Sequence, residues 1–132
     1  MAHQVIQTDQ APAPVGPYNQ AIAATGKMVF LSGQIALDPA TGQLVGDGDV
    51  EKETVQVMKN LQAVLTAAGA TFENVVKTSV FLADMGDFGK VNAIYATYFD
   101  EKSAPARACV QVAVLPKNVK VEIECIAVLP ND

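Results

Sequence analysis

A chain of 132 residues, 50% of them apolar and 17% charged, has the profile of one compact domain, with no room for a second. Nine basic residues against fourteen acidic ones leave a net charge of −5, which repels a phosphate backbone and makes nucleic acid a poor partner. No apolar run approaches the roughly 20 residues that cross a bilayer, and the start "MAHQVIQTDQ" lacks the basic and apolar regions of a signal peptide, so the expected location is the cytosol, away from any membrane.

The first organised stretch is "APAPVGPY" at 11–18, where three prolines and a glycine hold the backbone in a shaped loop. The following "NQAIAATGKMVFLSGQIAL" reads as two strands joined at Thr25-Gly26-Lys27, most simply a hairpin, and "DPATGQLVGDGD" is a turn-rich loop. From Val50 to Ala68 the period becomes helical: Val50, Thr54, Val57, Met58, Leu61, Val64, Leu65 and Ala68 form one stripe, with Asp49 as N-cap and Gly69 as C-cap. "NVVKTSVFLA" is β-branched and reads as a strand. A second helix follows, capped by Asp87, with Phe88, Val91, Ile94, Tyr95, Tyr98 and Phe99 on its apolar face and Pro105 beyond its end. Two closing strands, "RACVQVAVL" and "VKVEIECIAVL", flank the turn "PKN" and predict a second hairpin. The order β-β-α-β-α-β-β predicts an α+β fold: a single mixed β-sheet with two helices packed on one face, leaving the other face in need of a cover.

Strand alternation sorts the candidate chemistry. Ala108, Val110, Val112 and Val114 point one way and Arg107, Cys109, Gln111 and Ala113 the other; the terminal hairpin would put Arg107, Cys109, Gln111, Glu122 and Glu124 on one side of the sheet. A solvated sheet face accounts for Lys120, Glu122 and Glu124 without any function. Arg107 stands apart, because it follows "APA" at the mouth of a strand among small residues, where a guanidinium can grip a carboxylate through two parallel hydrogen bonds. Cys109 fits an inert, buried thiol better than a nucleophile, since His3 is the only histidine available to activate it. The remaining proton handlers are carboxylates and Tyr18, with Glu122 placed to hold a water. Two cysteines without a CxxC pattern and one histidine predict no disulfide and no metal, and the glycines of "GQLVGDGD" lack the lysine of a phosphate cradle.

Taken together, "GPY" at 16–18, "SGQI" at 32–35, "VNAIY" at 91–95, "PAR" at 105–107, Cys109 and "LPKNVKVEIE" at 115–124 resemble the RidA/YjgF family of reactive-intermediate deaminases, over essentially the whole chain. The resemblance implies one chorismate-mutase-like domain over residues 1–132, assembled as a homotrimer whose sheets line a central barrel, with active sites at the subunit interfaces. It implies hydrolysis of short 2-enamino and 2-imino acids, such as 2-iminobutanoate and 2-iminopropanoate, to 2-oxo acids and ammonia without a cofactor. In that picture Arg107 holds the substrate carboxylate, Glu122 positions the attacking water, Tyr18 and Cys109 line the pocket, and Ser32, Gly33 and Asn92 shape the cleft. Such chemistry needs no imidazole, because an iminium carbon is already electrophilic and the enzyme has only to orient it beside a water.

Proteins resembling this family have also been described as translation-inhibiting ribonucleases and as chaperone-like holdases. The net charge of −5 and the lack of a histidine pair weigh against the ribonuclease; a holdase would need a large exposed apolar patch. A binding protein for small carboxylates would share every site residue except Glu122.

Overall fold

The computed structural model describes residues 3–131. Its elements in chain order are β1 (His3–Ile6), β2 (Ala21–Ala24), β3 (Lys27–Gln34), α1 (Val50–Ala67), β4 (Val75–Leu82), α2 (Phe88–Tyr95), β5 (Ala106–Gln111) and β6 (Val121–Leu129). Helix α1 starts where the Asp49 carboxylate accepts the backbone N–H groups of Glu51 and Lys52, and it stops before Gly69, whose φ of +79° suits a residue without a Cβ. Its predicted stripe packs inward, except that Val64 is exposed and the unpredicted Glu53 is buried. Helix α2 is shorter than its apolar period suggests, continuing as a 3-10 turn at Ala96–Tyr98. Asp87 occupies its N-cap position without a side-chain cap bond; Asp84 makes the local cap instead, accepting from the Gly86 N–H.

Both helices pack on one face of a four-stranded mixed sheet of order β3-β6-β4-β5, the α+β arrangement the element order implies. Val121, Ile123, Cys125 and Ala127 of β6 are buried on the helix side, together with Val57, Met58, Leu61 and Leu65 of α1. The opposite face carries exposed Met28, Phe30 and Val110.

Two pairings differ from the sequence reading. Strands β2 and β3 do not form a hairpin: β2 pairs with β1, an element not predicted, in a separate two-stranded antiparallel ladder. Strands β5 and β6 are not neighbours either. The segment through α2 carries the chain from β4 to a parallel β5, so β4 lies between β5 and β6. The turn at Pro116–Asn118, with Lys117 and Asn118 at positive φ, therefore ends a crossover and not a hairpin.

That change of neighbours reverses a prediction about faces. Across the sheet Val110 is in register with Phe81 and Phe81 with Glu122, whereas Arg107 is in register with Thr78 and Thr78 with Cys125. Side chains in register share a face. Glu122 and Glu124 therefore lie on the open face with Ala108 and Val110, while Arg107 and Cys109 turn to the helix side, where Cys109 packs against the core. The predicted common face for Arg107, Cys109 and Glu122 does not exist within one chain.

Candidate functional site

Position 107 sits one residue inside β5, and the chain direction there brings its guanidinium against α2. Phe88, Asn92 and Tyr95 are spaced i, i+4, i+7 and so share one stripe of that helix. Asn92 Oδ1 accepts a hydrogen bond from Arg107 Nη1 at 2.7 Å. The guanidinium carbon lies 5.0 Å from the Tyr95 ring centre, 5.6 Å from that of Phe88 and 5.2 Å from that of Tyr18, within the range of cation–π attraction. Tyr18 arrives from the proline-rich loop, where its hydroxyl accepts from the Val15 N–H and its own N–H donates to the Gly16 carbonyl. A Cβ on Gly16 would stand 3.3 Å from Arg107 Nη2, so the loop backbone closes over the fork where only a small residue fits easily.

Tyr95 is fully buried and shares a 2.8 Å hydrogen bond with the Thr78 hydroxyl. Burial pushes its phenol up to about 12, against the opposing pulls of Thr78 and Arg107, so it remains a neutral ring beneath the cation. Burial likewise raises the Cys109 thiol, partly offset by Arg107. A thiol held protonated fits lining better than attack. Cys125 is pushed up to about 12 by burial and by Glu124.

Glu122 belongs to a second cluster, on the other face. The pairing of β3 with β6 shifts register between Leu31 and Gln34, and Ser32 and Gly33 occupy that irregularity. A Cβ at Gly33 would overlap Glu122 Oε2, so the carboxylate lies directly on the glycine backbone. Ser32 is exposed beside it. The site residues therefore divide into Tyr18, Asn92, Arg107 and Cys109 on the helix side and Ser32, Gly33 and Glu122 on the open side. Among the described residues no group of three or more His, Cys, Asp or Glu side chains could hold a metal ion, and no helix is long and apolar enough to cross a membrane.

The sequence reading missed Tyr95, which looked like an ordinary core residue of an apolar face, although its spacing with Phe88 and Asn92 already placed all three together. Asn19, buried next to Tyr18, gave no signal in the sequence.

Residues 8–129 match the family model described as Endoribonuclease L-PSP. The chain is 65% identical over 131 residues to the RutC family protein slr0709 of Synechocystis sp., covering 99% of this chain and 100% of that one. It is 57% identical over 125 residues to the mouse 2-iminobutanoate/2-iminopropanoate deaminase, covering 95% and 90%. The crystal structure of E. coli TdcF with bound serine superposes with a TM-score of 0.72 at 44% identity, covering 96% of this chain and 98% of that one. The chain belongs to the Endoribonuclease L-PSP family, which is the RidA/YjgF family.

Proposed function

We propose that the protein hydrolyses short 2-imino acids and their enamine tautomers to 2-oxo acids and ammonia, in sites completed between copies of the chain. The observation that carries this reading is the setting of Arg107. Its guanidinium is gripped by a neutral amide and surrounded by three aromatic rings, which leaves the remaining N–H groups of the fork for a carboxylate. The names of the mammalian relatives support the substrate class. So does the bound serine of TdcF, a small amino acid with a carboxylate.

Glu122 supplies the second half. Pressed on the Gly33 backbone and facing away from its own chain's Arg107, it meets an imine only where another copy brings an arginine to the open face. Exposed Met28, Phe30 and Val110 on that face give such a copy an apolar seat, in keeping with a closed ring such as the trimer. Chemically, Arg107 fixes the carboxylate and Glu122 takes a proton from water as its oxygen attacks the imine carbon. Glu122 returns that proton to the nitrogen, completing the carbinolamine, and transfer of the hydroxyl proton to the amine then expels ammonia and leaves the 2-oxo acid.

The test follows the enamine absorbance released by a threonine dehydratase, with wild type or Arg107→Ala added. Faster decay with wild type, and loss of about a hundredfold or more of that effect in a folded variant, is the expected result. Unchanged decay with wild type would leave carboxylate binding without catalysis. Ribonuclease activity, the alternative contained in the family's description, would appear as RNA cleavage that survives in Arg107→Ala.

A further inference from the structure

Two loops have to meet for Tyr18 to lie over Arg107. One is the proline-rich segment that ends at Tyr18; the other is the segment from Glu101 to Pro105 that feeds β5. Asn19 joins them. Its backbone N–H donates to the Pro105 carbonyl at 3.2 Å, and its side-chain Nδ2 donates to the Ala104 carbonyl at 2.7 Å and reaches the Glu101 carbonyl at 3.5 Å. Asn19 is only 6% exposed, and Ala104 and Pro105 are buried, so water does not readily replace the bonds to those two carbonyls. The three contacts bracket the site: Asn19 follows Tyr18 directly, and Pro105 precedes Arg107 by two residues. They involve no group of Arg107 or Tyr18 itself.

We propose that Asn19 is a positioning residue, a latch that holds the proline-rich loop on the β5 entry and so presets the separation of Tyr18 and Arg107 for a carboxylate. The inference rests on the carboxylate-binding reading of Arg107. The side-chain amide matters because a carbonyl offers only an acceptor, and an amide NH2 can satisfy two of them from one position. With the latch broken, the loop spends part of its time away from Arg107, and apparent affinity falls in proportion to the lost competent population. The chemical step, which depends on the water held at Glu122, is untouched once substrate is bound.

The experiment titrates 2-oxobutanoate, a carboxylate that cannot be hydrolysed, into wild type, Asn19→Ala, Arg107→Ala and the double variant by calorimetry, with kcat measured at saturating imine. Thermal melting confirms folding, and Asn19→Ser replaces Asn19→Ala if the latter does not fold. Loss of one buried side-chain hydrogen bond predicts about five- to tenfold weaker binding in Asn19→Ala, with kcat within about twofold of wild type. No further weakening is expected when Arg107 is already alanine. Wild-type affinity in the folded variant, or the same loss in the Arg107→Ala background, overturns the latch. Absence of both binding and turnover in wild type would instead remove the carboxylate site, and the latch with it.

Discussion

The separation of Arg107 and Glu122 onto opposite faces of one sheet makes a quantitative prediction about mixed assemblies. Arg107→Ala lacks the carboxylate grip, and Glu122→Gln keeps the shape of the acid but cannot take the proton from water. Each variant alone should be inactive. If the two are unfolded together in equal amounts and allowed to reassemble at random, an intact site forms wherever a Glu122→Gln chain presents its arginine to an Arg107→Ala chain that presents its glutamate. The chance is one half for each partner, so about a quarter of the sites, and about a quarter of wild-type activity, should return whatever the size of the closed ring. The assay is enamine decay, read before and after mixing, with a sample combined without unfolding as the control. If one chain supplied both groups, no mixed assembly could hold an intact pair. Activity that stays at the level of the unmixed parents, in an assembly shown by mass to contain both chains, would refute the divided site.

Other outcomes follow from single contacts. Gly33→Ala places a methyl where Glu122 Oε2 now lies, so the carboxylate must move; kcat should fall at least tenfold while 2-oxobutanoate affinity stays within a few-fold of wild type, measurable by steady-state kinetics and calorimetry. Asn92→Ala removes the acceptor that orients Arg107 Nη1, and a hydrogen bond to a charged group is worth about 1.5–3 kcal/mol, so 2-oxobutanoate should bind about tenfold more weakly or worse in calorimetric titration. Stability should decline on the alkaline side. Tyr95 and Cys125 hold their protons to about 12 in the folded chain but ionise near 10 and 9 when unfolded, so their contribution is complete below pH 9 and is lost as the pH climbs through 12. For Tyr95 the shift amounts to on the order of 2–3 kcal/mol, and urea midpoints that stay flat from pH 9 to 11 would contradict it. Tyr95→Phe should cost about 1–3 kcal/mol by stranding the Thr78 hydroxyl, and adding Thr78→Val should recover most of that loss in chemical denaturation.

The sequence by itself determined most of the local elements and singled out the side chains proposed to react. The 3.6-residue stripe of Val50, Thr54, Val57, Met58, Leu61 and Leu65 with Asp49 at its head specifies α1, because periodicity and capping depend only on neighbours along the chain. Alternation in β6 likewise put Val121, Ile123, Cys125 and Ala127 on one face and Glu122 and Glu124 on the other, as the structure has them. An arginine after "APA" stood out in the sequence as the candidate for a carboxylate. Only the tertiary structure decided which strands are neighbours. "PKN" is a turn in either topology, and nothing local distinguishes a hairpin from a crossover past β4; the choice rests on α2 returning the chain to a parallel β5 and covering that strand's inner face. Alternation sorts side chains into two sets without saying which set of one strand shares a face with which set of another. That assignment follows from interstrand register, and register is what parts Arg107 from Glu122 onto opposite faces.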